Sequence, residues 1–212
     1  MLPLSSLDPA CAPYPDPAPV LEEIAATSLN RAASLAFALS RCDPVKPLLF
    51  VVPRAALREL AWPSLHGIGS AAGPLLMAST NGEADALWAM EQALKSGALG
   101  GVIGVIEQAS LTQSRRIDFA ARDGATAALL LRLHGNGLSA ARRRWRVTAA
   151  PSLHNPHDAE APGQPRLIAE LWRRRDGPPG RWVLARDGAT HRFDLADRLG
   201  ADGLATAPRR AA

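Results

Sequence analysis

Residues 84–106 read ADALWAMEQALKSGALGGVIGVI, one helix, one sharp stop and one buried strand. Leu87, Met90 and Leu94, with Trp88 alongside, recur at helical spacing, and Thr80-Asn81-Gly82-Glu83 just upstream has the Thr-x-x-Glu form of a capping box. Lys95 closes the last turn, and Gly97 suits the left-handed conformation that ends many helices. The following Val102-Ile103-Gly104-Val105-Ile106 is apolar on both faces of the pleat, as a central parallel strand covered by helices must be. Together they form the second half of a βαβ unit.

Working outward, the same alternation repeats on both sides. Upstream, residues 20–24 are a short first strand, and Ala32, Leu35, Ala36 and Leu39 make a helical stripe that Asp43-Pro44 ends. Leu48-Leu49-Phe50-Val51-Val52 is a second buried strand, Pro53 opens a helix carrying Leu57 and Leu60, and residues 74–78 are a third strand. Downstream, Ser110-Leu111-Thr112-Gln113 repeats the capping-box spacing before a helix that stops at Gly124, and residues 126–133 form another buried strand. Beyond it the pattern changes to strands alone, at 144–149, 166–172 and 181–186, the last two joined by the turn Asp176-Gly177-Pro178-Pro179-Gly180. The expected architecture is α/β, a mostly parallel sheet flanked by helices, with an antiparallel extension over about 144–195.

Length and composition bound the rest. The 212 residues are 47% hydrophobic, enough for one full core, so a single domain over 20–200 is expected. Residues 1–19 carry Pro3, Pro9, Pro13, Pro15, Pro17 and Pro19 and read as a flexible proline-rich arm, while 201–212 read as a flexible tail. The proline-rich, polar segment 151–165 reads as an exposed loop. The net charge is +4, mostly from arginine, which fits an acidic partner such as nucleic acid. Cys11 and Cys42 lack metal-ligand spacing and read as free thiols. His66, His134 and His191 are scattered, and His154-Asn155-Pro156-His157 has only Asp158 and Glu160 beside it, so no metal site is expected. No run approaches the ~18 apolar residues of a membrane span and no signal peptide opens the chain, so a soluble cytoplasmic protein is expected.

The run ALWAMEQALKSGALGGVIGVIE resembles the helix and Walker B strand of RecA-type recombinases, and LTQSRRIDFAARDGATAALLLR followed by SAARRRWRV resembles the ImuA branch of that superfamily, which is related to both RecA and the division inhibitor SulA. The resemblance spans the elements from 21 to 193 and is most pointed over 84–147. It implies a RecA-like, P-loop-type core and a role in error-prone translesion synthesis during the SOS response. The partners it implies are an ImuB-like Y-family polymerase homologue, an error-prone replicative-type polymerase and RecA. A SulA-like inhibitor that binds FtsZ, and a degenerate RecA-like ATPase, are the alternatives.

A RecA-like core ordinarily binds ATP, so the nucleotide parts are the test. A P-loop needs G-x-x-x-x-G-K-[ST], because its backbone N–H groups wrap the phosphates and its lysine reaches them. The corresponding residues 24–34, IAATSLNRAAS, have neither glycine nor lysine, and Ala26, Arg31 and Ser34 are what remains of the position. The Walker B strand should end in an aspartate that holds magnesium. Here Ile106 occupies that place and Glu107 follows one residue late, read as a solvated loop residue. No cofactor and no ATPase activity are expected, and no nucleophile elbow or other catalytic constellation is present.

The densest charge lies in Arg142-Arg143-Arg144-Trp145-Arg146, echoed by Trp172-Arg173-Arg174-Arg175 and by Arg181-Trp182. If these strands pair antiparallel, arginines on alternate positions line one face with tryptophans between them, the combination that grips single-stranded DNA through phosphates and stacked bases. The loop 134–139 before them is the one that faces DNA in RecA-like proteins. The competing expectation makes Trp145, Trp172 and Trp182 core residues with the arginines on a wet face. The arm at 2–19 is a further candidate for protein contact.

Overall fold

A computed structural model describes residues 13–60, 73–133, 139–155, 157–158 and 160–196. Its elements in chain order are β1 (Leu21–Ala25), a 3-10 turn (Ser28–Asn30), α1 (Arg31–Ser40), β2 (Leu48–Pro53), α2 (Arg54–Leu60), β3 (Leu75–Thr80), α3 (Glu83–Lys95), β4 (Gly101–Val105), α4 (Leu111–Asp123) and β5 (Ala127–Arg132). Four strands follow: β6 (Arg143–Ala150), β7 (Arg166–Arg174), β8 (Gly180–Arg186) and β9 (Phe193–Leu195). They build one nine-stranded sheet in the order β3-β2-β4-β5-β1-β6-β7-β8-β9. The strands from β3 to β6 are mutually parallel, and β7, β8 and β9 continue antiparallel. The fold is therefore α/β, a mostly parallel sheet with antiparallel strands at one side, and the antiparallel part begins at β7, one strand later than the patterning suggests.

Burial on both faces explains the apolar runs. On one face α1 and α2 cover Ile24, Phe50, Ile103, Leu129 and Trp145. On the other, α3 and α4 cover Leu21, Val51, Val102, Leu130 and Ile106. Every residue of β4 is buried, as a central parallel strand requires.

The helix ends separate two similar sequence signals. The box at Ser110 forms: Gln113 N–H donates to Ser110 Oγ at 3.2 Å, and Ser110 N–H donates to Gln113 Oε1 at 2.8 Å. The box expected at Thr80 does not. Gly82 is the N-cap, Thr80 Oγ donates to the Gly82 carbonyl at 2.9 Å, and the Glu83 carboxylate turns away to the end of β4. Gly97 adopts φ +63°, the left-handed stop read from the sequence. Gly124 is needed for close approach, since a Cβ there would stand 1.8 Å from the Leu94 carbonyl oxygen.

Two expectations about the flanks change. Within the stretch expected to be a flexible arm, Tyr14 and Pro15 are buried, with the Tyr14 ring 5.4 Å from Trp182 and 6.2 Å from Trp145. The segment expected as an open loop is pinned by a bridge between His154 and Pro162 and by Leu153 N–H donating to the Gln164 carbonyl. Residues 1–12 of the arm, Cys11, His66, His134, the loop residues 134–138 and the tail lie outside the described residues.

Candidate functional site

In a parallel sheet, ligands collect where the strands end at their carboxyl side. Here β4, β5 and β1 lie side by side in that order, so residues 26–34 and 106–107, where a RecA-like core is expected to carry its nucleotide parts, flank the end of β5. Ala26 is buried, and its N–H donates to the Arg132 carbonyl at 2.7 Å. Ser34 is fully buried and donates its hydroxyl to the Ala25 carbonyl at 3.4 Å, while Arg31 begins α1. The turn between them leaves Leu29 93% exposed, an apolar side chain where a phosphate cradle would present N–H groups. Ile106 is buried among α3 and α4.

Glu107 is not a solvated loop residue. Its Oε1 accepts the Leu133 N–H at 2.5 Å, its carbonyl accepts Arg132 Nη1 at 2.6 Å, and its own N–H donates to Glu83 Oε1 at 2.6 Å. Gln108 N–H donates to the other Glu83 oxygen at 3.0 Å. The reason is geometric: β4 ends at Val105 opposite Leu131 and β5 runs one residue further, so Glu107, the second residue past β4, meets the Leu133 N–H, the first past β5. The edge is closed by mutual hydrogen bonds among its own residues.

β1 carries the stranger chemistry. Its sequence LEEIA places two glutamates in a central strand, one on each face, and both are buried. Glu22 accepts from Arg41 Nη2 at 2.8 Å, Arg143 Nη1 at 3.1 Å and the Trp145 indole N–H at 2.6 Å. Glu23 accepts from Arg132 Nη2 at 2.8 Å and Arg144 Nε at 2.7 Å. A buried carboxylate tolerates this position only when its oxygens are fully paired. Burial opposes the charge on Arg41, but Glu22 and the Tyr14 phenol raise its proton affinity above the ordinary value. Burial likewise raises the Tyr14 phenol, against the lowering effect of Arg41. Arg41 and Arg143 also donate to the carbonyls of Pro15 and Asp16 at 2.7 to 3.0 Å, which holds these two residues against the sheet.

This assigns most of the basic cluster. β6 lies beside β1 in the register Glu22↔Arg143, Glu23↔Arg144, Ile24↔Trp145, so these three side chains turn inward. Arg143 and Arg144 are each 6% exposed and Trp145 is fully buried, which corrects their reading as DNA contacts. Asp176 takes the other side of Arg143 at 2.7 Å and also pairs with Arg174 at 3.1 Å; burial works against its charge, but those hydrogen bonds hold its pKa at about 2. Arg142 is half-buried, 3.4 Å from Asp118.

The expected antiparallel pairing of β6 with β7 is present, and the interleaving of arginine and tryptophan survives on one face only. Arg144 and Arg146 flank the half-buried Trp172 ring at 5.0 and 5.1 Å from its centre. Arg146 is exposed and 3.6 Å from Glu170, and Arg173, Arg175 and Arg181 are exposed nearby. Trp182, by contrast, lies in the core against Trp145 and Tyr14. Ser139, the one described residue of the loop read as DNA-facing, is buried and accepts the Ala141 N–H at 3.0 Å. Among the described residues no group of three or more His, Cys, Asp or Glu is placed to hold a metal ion, and no helix is long and apolar enough to cross a membrane.

The paired glutamates escaped the sequence reading although a signal was present: two adjacent carboxylates in an otherwise apolar strand demand buried cations, and the arginine cluster supplies them.

Fold and edge thus define an α/β protein with a mostly parallel sheet in which, among the described residues, the ends of β4, β5 and β1 are tied to one another. Comparison with known proteins gives the family. The chain is 33% identical over 171 residues to Protein ImuA of Caulobacter vibrioides, in strain NA1000 / CB15N and equally in strain ATCC 19089 / CIP 103742 / CB 15, an alignment covering 74% of this chain and 70% of that protein. The chain belongs to the ImuA family. Among solved structures, SulA from Pseudomonas aeruginosa aligns at TM-score 0.41 and 20% identity, over 54% of this chain and 98% of that one. No family model matches.

Proposed function

We propose that this protein is a non-catalytic, RecA-like accessory factor of SOS-induced error-prone translesion synthesis, acting by binding an ImuB-like polymerase homologue, an error-prone replicative-type polymerase and RecA. The observation that carries the non-catalytic part is the state of the sheet edge. A nucleotide-hydrolysing core needs free backbone N–H groups at the first loop and a carboxylate free to hold magnesium at the end of β4. In this chain Glu107 is spent on the Leu133 N–H, Glu83 clamps the backbone of Glu107 and Gln108, and the first loop is a glycine-free turn. The RecA-like assignment is supported by the placement of the two nucleotide positions on either side of β5, and the mutagenesis role by the family.

Pull-down of the purified chain against ImuB-like, RecA and FtsZ homologues tests the reading. Capture of the ImuB-like protein or RecA supports it; recovery of FtsZ alone transfers the chain to the division-inhibitor class.

A second reading, single-stranded DNA binding, is favoured by the Arg144–Trp172–Arg146 stack. Stacking surfaces of this kind take bases without sequence preference. The test is a gel shift with Arg146→Ala and Trp172→Ala, since changing Arg143 or Arg144 removes buried ion pairs instead. Equal binding by wild type and both variants removes this reading.

A further inference from the structure

The sequence of α1, RAASLAFALS, is apolar nearly all round, a pattern that calls for cover on two sides. The sheet covers one: Ala33, Phe37 and Ala38 are buried in the main core. The other flank is Ala32, Leu35 and Ala36, three of the four residues of the stripe that periodicity alone marks as the core face; the fourth, Leu39, is buried in the core. This flank lines an open trough of about 590 Å³, whose far wall is the end of β6 and the start of β7 with Ala149, Ala150 and Leu167. Ala32 is exposed, and Leu35 and Ala36 are only partly covered.

Small side chains on both walls let a backbone approach closely, and the lining supplies few polar groups to fix a compact polar ligand. The charge at the rim is one-sided. Arg166 and Arg186 line the trough, with His191 beside them, and among the described residues no acidic side chain lines it. Arg166 Nε donates to the Pro151 carbonyl at 2.7 Å, and the Arg186 guanidinium meets His191 Nδ1.

We infer that this trough is a docking groove for an amphipathic, acidic peptide segment of a partner protein. Its apolar side chains lie against Ala32, Leu35, Ala36 and Ala149, and its carboxylates meet Arg166 and Arg186. An apolar floor gives affinity, and the arginine rim gives orientation and selects against basic segments. The inference deepens the partner-binding reading, on which it rests only in taking the occupant to be protein.

The experiment is a peptide-phage selection on the full chain, counter-selected against Ala36→Trp, which fills the trough. Recovered peptides are synthesised with fluorescein and titrated by anisotropy, with circular dichroism confirming that each variant is folded. Selected peptides should combine Leu, Ile or Phe with Asp or Glu, and their dissociation constants should rise at least tenfold in the folded double variant Arg166→Gln/Arg186→Gln. Recovery of basic or uncharged peptides, or none that distinguish wild type from either variant, overturns the proposal. The same variants go into the pull-down. Peptide binding that depends on the rim, together with no capture of any ImuB-like protein or RecA, upholds the groove and overturns only the polymerase-linked role.

Discussion

Glu22→Gln is the substitution on which the structure makes its sharpest demand. It keeps the side-chain volume but removes the charge that holds Arg41, Arg143 and the Trp145 indole, and it converts one acceptor oxygen into a donor facing them. Arg41 has a 1% exposed side chain, enclosed by Trp145 and Tyr14 at 5.4 and 5.6 Å, so its charge is almost wholly removed from water. Removing one member of a buried ion pair costs about 3–5 kcal/mol, because the other charge is left uncompensated. A domain of this kind has a total stability of about 5–15 kcal/mol, so a large fraction is at stake. With a urea slope of about 2 kcal/mol per M, the midpoint should fall by roughly 1.5–2.5 M. The assay is equilibrium urea unfolding followed by tryptophan fluorescence, with Trp145 and Trp182 as core reporters. Arg173→Ala on the exposed surface serves as control and should stay within about 0.5 kcal/mol of wild type. A midpoint shift below about 0.5 M for Glu22→Gln would refute the claim that Glu22 compensates a buried charge.

Three further outcomes follow from other parts of the molecule. Asp176 has a pKa lowered from 3.8 to about 2, so its contribution is present above pH 4 and is lost as pH falls toward 2; Asp176→Asn should lower the melting temperature at pH 7 and converge with wild type in acid. Cys42 is buried, donates to the Ala38 carbonyl at 3.4 Å, and has its thiol pushed up by burial to about 12, so it should resist alkylation at pH 8 until the protein is unfolded, as read by peptide mass after iodoacetamide. Gly124→Ala drives a methyl into the Leu94 carbonyl, and calorimetry should show a loss of about 1–3 kcal/mol.

The sequence carries the sheet well and the site less well. Doubly apolar runs such as Gly101–Val105 identify themselves, because a strand covered on both faces tolerates little else. Three-residue β9 escaped because Phe193-Asp194-Leu195 is too short to show a period; what makes it a strand is its pairing with β8. The Thr80 signal failed through competition: the free N–H groups after β4 took the Glu83 carboxylate that a capping box needs. Charge density in β6 suggests surface chemistry by itself, yet neighbours in the sheet decide its fate. β1 has no reason in local sequence to lie beside β6, and only that register, Glu22 against Arg143, turns a basic strand into a buried one. For α1 the periodicity found a real apolar stripe, but of its residues only Leu39 is fully buried, while Phe37, outside the stripe, carries the helix's contact with the core. Local pattern shows that a face is apolar, whereas topology assigns what covers it.

The central claim is that the carboxyl edge of the parallel sheet, with Glu107 bound to Leu133 and Glu83 across the backbone of residues 107 and 108, has been given over to structure. The most direct test is ATP turnover by the purified chain with and without magnesium. The account predicts no phosphate release above the buffer rate, alone or with single-stranded DNA. Magnesium-dependent hydrolysis that disappears in Glu107→Ala would contradict it.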